Sequence, residues 1–326
     1  MQQLAQDINN KTFAHCYLLY GSEAYLRRQY RDRLKSALID PADSMNFNYY
    51  SGKEINVGAL IDQAETMPFF ADRRVILIEN PEFNKEDGEK LAAYLAEQAE
   101  STVIMLVTES IDKRSKLYKA FTKCGRVTEF TEQTPDTLTR WILGRVKKEN
   151  KQIDRSAVEL LLKCTGSDMS VIDIELEKLF SYTMDKSSIN SADVEAIVTV
   201  STSARVFDMT KAMAFKKQKV ALDMYYDLLS HKESPFGILA LIARQFNQML
   251  IVKELIDDGM GTDAIAKKMN LWPKLILEYK SQADKFTFKR LHQALEACVR
   301  ADEDVKAGRM TPEMAVELLI IEYSKA

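Results

Sequence analysis

Between Cys16 and Phe130 the chain alternates two hydrophobic rhythms. Short apolar runs, rich in β-branched residues, have the look of buried strands. The stretches between them repeat their apolar residues every three or four positions, as one face of a helix does. The pattern predicts a strand over Cys16–Tyr20, then a helix capped by Ser22 and running to about Leu38 on a face of Leu26, Tyr30, Leu34 and Leu38. An edge strand is expected over Asn46–Tyr50, a helix around Val57, Leu60, Ile61 and Ala64, and a buried strand at Val75–Ile78. Leu91, Tyr94 and Leu95 mark the next helix, Val103–Val107 a strand, Ser115–Lys123 a helix and Arg126–Phe130 a fifth strand. Alternation of this kind predicts a mainly parallel sheet with helices on both faces.

After Thr134-Pro135 the strand rhythm stops. Helical patterns follow over 136–148, 154–163, 171–182 and 192–198. A Ser/Thr-rich join, Thr199 to Ser203, reads as a second boundary. Helices are then expected over 206–216, 218–230, 235–257, 262–268, 273–283, 287–306 and 311–324. Pro235, Pro273 and Pro312 fall near helix starts, where proline is tolerated.

One connection breaks the rule that loops are polar. In Met67-Pro68-Phe69-Phe70-Ala71-Asp72-Arg73-Arg74, proline pushes Met67 out of the helical region, so two adjacent phenyl rings fall between a helix and a strand. Such a pair is either a plug in the core beneath the sheet or a contact offered to a partner.

Composition adds bounds. A chain of 326 residues can form two or three cored domains. Its net charge of -3 decides nothing about nucleic acid, because a local basic face can hide in it. Basic clusters at Arg27/Arg28/Arg31/Arg33/Lys35, Lys113/Arg114/Lys116/Lys119, Arg145/Lys147/Lys148/Lys151 and Lys216/Lys217/Lys219 are interleaved with acids, as solvated helix faces are. Cys16, Cys124, Cys164 and Cys298 lack paired spacing, which fits buried reduced thiols in a cytoplasmic protein better than disulfides or zinc. The first residues have no apolar core for a signal peptide, and no apolar run approaches the roughly 18 residues of a membrane span.

Catalytic chemistry is thin. A strand, Gly21 and a helix reproduce the layout of a phosphate-binding loop. The working form, G-x-x-x-x-G-K-S/T, needs a second glycine, a lysine and a hydroxyl. Gly21-Ser22-Glu23-Ala24-Tyr25-Leu26-Arg27-Arg28 has none of the three, and Glu23 would set a negative charge against a phosphate. No nucleotide, metal or other cofactor is therefore expected. Glu79, at the end of a buried strand, cannot make a magnesium site without that loop. His15, His231 and His292 have neither metal spacing nor a nucleophile beside them. No catalytic constellation is visible, so enzymatic activity in this chain is left open.

Several stretches resemble one family, the delta subunit of the bacterial DNA polymerase III clamp loader. They are Tyr20-Gly21-Ser22-Glu23-Ala24-Tyr25-Leu26, the Met67–Arg74 stretch, Gly166 with Ile174-Glu175-Leu176-Glu177-Lys178-Leu179, Pro235-Phe236-Gly237-Ile238-Leu239 with Ala243-Arg244-Gln245-Phe246, and Ala301 through Arg309. The resemblance implies an α/β parallel-sheet, AAA+-like domain at 1–134 without a working phosphate loop, then two all-α domains, a lid at 135–203 and a collar at 204–326. It implies a cytoplasmic, hetero-oligomeric replication protein. The partners would be the sliding clamp (the beta subunit), delta-prime and tau/gamma subunits, and primer–template DNA within the complex, with no membrane. No Ser-Arg-Cys stretch of the delta-prime kind is present. By the same resemblance Met67, Pro68, Phe69 and Phe70 form the clamp-binding element, and Gly21, Ser22 and Glu23 a degenerate nucleotide loop. Two readings compete with a non-catalytic clamp-loader subunit. One is an AAA+ ATPase with a divergent nucleotide site, the other a helical DNA-binding adaptor of replication or repair.

Overall fold

A computed structural model of the chain describes residues 2–40 and 42–325. They divide into two compact units, Met1–Gln133 and Thr134–Ala326.

The first unit is built on five strands, β1 (Cys16–Tyr20), β2 (Phe47–Ser51), β3 (Arg74–Glu79), β4 (Thr102–Thr108) and β5 (Arg126–Glu129). They lie in the order β2-β3-β4-β1-β5 and every pairing is parallel. Parallel neighbours require crossovers, which the helices α1 (Gln2–Asn10), α2 (Ala24–Leu38), α3 (Val57–Glu65), α4 (Lys85–Glu97) and α5 (Lys116–Cys124) flank or supply. All five residues of β1 are buried. Leu18, Ile76, Ile78, Ile104 and Leu106 project to one face and pack with Leu60 of α3, Leu91 of α4 and Phe121 of α5. Alternate residues project to the other face. There the Tyr17 hydroxyl donates to Asp7 of α1 at 3.3 Å, and Leu34 of α2 is fully buried.

The helix starts follow the sequence. Asn56, Asn84 and Ser115 accept from the backbone N–H of the third residue of α3, α4 and α5. Two expectations shift. The cap of α2 is Glu23, not Ser22: its carboxylate accepts from Tyr25 N and Ser22 stays exposed. Helix α1 was not anticipated, because only Leu4, Ala5 and Ile8 interrupt its polar residues.

The second unit contains the helices α6 (Pro135–Lys148), α7 (Arg155–Thr165), α8 (Met169–Tyr182), α9 (Ser191–Ile197), α10 (Thr202–Ala214), α11 (Gln218–Ser230), α12 (Pro235–Asp257), α13 (Thr262–Met269), α14 (Pro273–Ala283), α15 (Phe288–Lys306) and α16 (Pro312–Ser324). Its helical character is interrupted by one parallel bridge of two-residue strands, β6 (Gln152–Ile153) and β7 (Ser188–Ile189). The boundary expected near 203 falls inside this unit. The Ser/Thr-rich join is shorter than read: Ser201 already caps α10 by accepting from Ala204 N.

Helix α12 corrects the reading that no segment is apolar enough to span a membrane. At 23 residues, with a mean hydropathy of 1.3 over its most apolar window, it passes that test by length and composition. Here Ile238, Ile242, Phe246 and Met249 are buried among Ile276, Leu291, Ala294 and Ile320. A helix apolar around most of its circumference is what the centre of a bundle requires.

Candidate functional site

The phenylalanine pair lies outside the core. Phe70 is 95% exposed and Phe69 57%, with Met67 at 85%. Pro68 is half-buried. The two rings stack edge to face, their centroids 4.6 Å apart, a favoured aromatic geometry. Phe70 adopts φ +49°, the left-handed region that a bulky residue enters only under constraint. Leaving these rings in water has no folding benefit, so the segment is either strained for a purpose or held by its surroundings.

The hold is visible on both sides of the segment. The entry is fixed by Arg74, the first residue of β3, only 4% exposed. Its Nε donates to Thr66 O at 2.9 Å and its Nη2 to Met67 O at 3.3 Å. Its Nη1 donates to Asn48 Oδ1 at 3.0 Å and to Met45 O at 3.3 Å. The exit is fixed by Asn46, 1% exposed, from the loop before β2. Phe69 N donates to Asn46 Oδ1 at 2.6 Å, and Asn46 Nδ2 donates to Phe69 O at 2.9 Å. Asp43 completes the cluster, accepting from Asn46 Nδ2 at 2.7 Å and from the backbone of Met45 and Asn46 at 3.1 Å. The hydrogen bond from the Asn46 side chain holds the Asp43 carboxyl below its ordinary range, with the backbone N–H groups and the Arg74 charge acting the same way.

These neighbours follow from topology. Strands β2 and β3 are parallel and in register, Phe47 opposite Val75. Their preceding loops therefore emerge side by side at the same end of the sheet. Met45, 63% exposed, lies on the neighbouring loop, its carbonyl held by the same Arg74 guanidinium that holds Met67 O. Sequence reading missed Asp43, Met45 and Asn46 as participants, because only the sheet brings them next to Phe69. Arg74 was in the recognised stretch, but nothing in the pattern marked it as buried.

The loop after β1 lies at the opposite, C-terminal end of the strands. Gly21 has φ +128°, and a Cβ there would fall 2.1 Å from Phe130 O. Gly21 N donates to Glu109 O at 3.1 Å and Glu23 N to Phe130 O at 3.0 Å. Glu23, 8% exposed, caps the first turn of α2 from within the chain. Glu79, at the end of β3, is occupied as well: Arg31 Nη1 donates to one oxygen at 2.5 Å and the Tyr49 hydroxyl to the other at 2.9 Å. Burial draws Arg27 below its ordinary pKa, while Glu109, Glu79 and Glu23 pull it back up. Glu79 is thus paired, whereas Arg27 Nε and Nη1 are buried without a hydrogen-bond partner.

The remaining candidates are ordinary. Several basic residues have acidic partners within the chain, as Lys113 has Glu129, Lys116 has Glu89 and Arg145 has Asp173 and Glu177. The three histidines are exposed. Cys16 and Cys298 are buried, whereas Cys124 and Cys164 are only half-buried. No cluster of potential metal ligands occurs among the described residues.

The fold is a five-stranded parallel α/β module with an exposed aromatic loop at one end of its sheet, followed by a helical region, the architecture of clamp-loader delta subunits. Two family profiles match in sequence order, "DNA polymerase III, delta subunit" over residues 17–131 and "DNA polymerase III delta subunit, C-terminal domain" over residues 203–323. The chain belongs to the DNA polymerase III delta-subunit family of clamp-loader proteins. It is 28% identical to the DNA polymerase III subunit delta of Bacillus subtilis, covering 95% of this chain and 92% of that one. It is 22% identical to the Escherichia coli subunit delta, over 94% of this chain and 90% of that one. The solved structure of the Bacillus subtilis DNA clamp loader delta protein superposes with a TM-score of 0.65 at 27% identity, covering all of this chain and 99% of the other.

Proposed function

We propose that this delta subunit binds the sliding clamp through Met67, Pro68, Phe69 and Phe70 and stabilises the clamp in an open form, so that it can be loaded on primed DNA. The observation that carries the reading is an aromatic pair left in water on a loop whose backbone is held at both ends. Exposed rings on a prepared backbone are what a hot spot needs, since little further order has to be imposed on binding. Opening requires no force from this chain. A ligand that binds the open clamp better than the closed one shifts the population by that difference in affinity.

The rest of the chain takes supporting roles in this reading. Residues 135–203 act as a lid and 204–326 as a collar that assembles with delta-prime and tau/gamma subunits in the cytoplasm, and the complex meets primer–template DNA. The loop Gly21-Ser22-Glu23 binds no nucleotide, because Glu23 caps the helix end where a phosphate would sit.

The test uses the whole chain and the cognate sliding clamp. The wild type should capture the clamp and speed its release from circular DNA. The Phe69→Ala/Phe70→Ala variant should do neither. Capture and release unchanged in a variant that still folds would defeat the reading.

A further inference from the structure

The Asn46 side chain makes three hydrogen bonds, with both amide hydrogens in use. Its oxygen takes Phe69 N–H, and its two amide hydrogens go to Phe69 O and Asp43 Oδ2. The pattern fixes the amide orientation, since flipping it would set a donor against Phe69 N–H and an oxygen against two acceptors. The side chain thereby treats Phe69 as a neighbouring strand would, satisfying both its N–H and its C=O 23 residues away in sequence. Such reciprocal pairing restrains φ and ψ of the bound residue. Phe70, the next residue, is the one at positive φ. Arg74 grips Thr66 and Met67 on the other side. The two holds thus fall on Met67 and Phe69, on either side of Pro68, with Phe70 just past the second.

We infer that Asn46 is a positioning residue of the clamp-contact loop: with Arg74 behind it, its amide fixes the Phe69 backbone so that both rings are presented in one geometry before the partner arrives. The inference rests on the clamp-binding reading above. It makes affinity depend on a buried residue that touches no partner. Without Asn46 the rings remain, but the loop samples many shapes and each binding event must order it again.

Two measurements test this. In the first, clamp affinity is compared for wild type, Asn46→Ala, Arg74→Lys, Phe69→Ala/Phe70→Ala and the triple variant Asn46→Ala/Phe69→Ala/Phe70→Ala. Asn56→Ala, which removes a helix cap in α3 away from the loop, controls for a general loss of stability. Asn46→Ala should weaken binding roughly tenfold, the scale of two lost hydrogen bonds. Arg74→Lys should weaken it in the same direction. Asn46→Ala should add nothing once both rings are gone, and Asn56→Ala should bind as wild type does. The second measurement is amide hydrogen exchange of Phe69 in the free chain. Exchange should be slow in the wild type, at least tenfold faster in Asn46→Ala, and unchanged in Asn56→Ala. Binding by Asn46→Ala and Arg74→Lys within twofold of wild type, while the double alanine variant fails, overturns the inference. A Phe69 amide that already exchanges freely in the wild type overturns it too. A wild-type chain with no clamp affinity sinks the functional reading instead, and the exchange result alone then decides whether Asn46 holds the loop.

Discussion

Replacing both Phe69 and Phe70 with alanine gives the sharpest contrast between binding and folding. Fully burying a phenylalanine side chain is worth roughly 1.5–3 kcal/mol relative to leaving it in water. Scaled by the exposed fractions of 95% for Phe70 and 57% for Phe69, a partner can gain about 2–4.5 kcal/mol from the pair. At 1.4 kcal/mol per decade, their loss should weaken clamp binding by about 30- to 1,600-fold. The chain itself should lose only about 1 kcal/mol, from the part of Phe69 that is already buried. Titration of the immobilised clamp by surface plasmon resonance reads the first quantity, and thermal melting monitored by circular dichroism reads the second. A melting temperature lowered by many degrees would mean that the rings are part of the core. A loss of affinity below threefold at unchanged stability would mean that the clamp does not touch them. Either result refutes the reasoning.

Other expectations concern the opposite end of the sheet and the thiols. Gly21→Ala should cost roughly 3 kcal/mol or more in urea unfolding, since it combines positive φ with a Cβ 2.1 Å from a carbonyl oxygen. Gly52→Ala, also at positive φ but with open space around it, should cost only about 1 kcal/mol. Calorimetric titration of the isolated chain with ATP should give no binding heat, and micromolar affinity would restore the ATPase reading. Burial, with Cys124 adding to it, pushes the Cys16 thiol up to about 12, and burial alone does the same for Cys298. Both stay protonated at pH 8, so iodoacetamide followed by mass spectrometry should label the half-buried Cys124 first, then Cys164, whose thiol burial also pushes up. The raised value also sets the sign of the pH effect. The neutral thiols' stabilisation is complete below the unfolded value of about 8.5 and fades as pH rises toward 12.

The strands were legible because runs such as Val75–Ile78 and Val103–Val107 are short, apolar and bounded by breakers. Most helices were legible from their caps and period. The misses have two physical causes: a local signal overruled by tertiary contacts, and a local signal too weak to read. Ser22 is the better cap by preference, yet Glu23 is the residue turned inward, because its backbone N–H is tied to Phe130 O. Helix α1 has too few apolar residues to announce itself, and it is placed by Leu4 and by the Asp7–Tyr17 hydrogen bond. In the candidate site the aromatic pair could be read directly, since two rings after a proline are conspicuous. Their exposure could not, because the Phe69–Asn46 pairing is made between residues 23 apart, and only strand order brings them together.

That order separates two fates of the same sheet. Residues preceding β2 and β3 gather at one rim, while those following β1 and β3 gather at the rim across from it. Substitutions at one rim leave side chains at the other untouched, as long as the strands between stay packed. Such a sheet can therefore change the loops at one rim without forcing repair of those at the other. In this chain one rim carries Glu23 as an internal helix cap and the other carries Phe70 pointing into water.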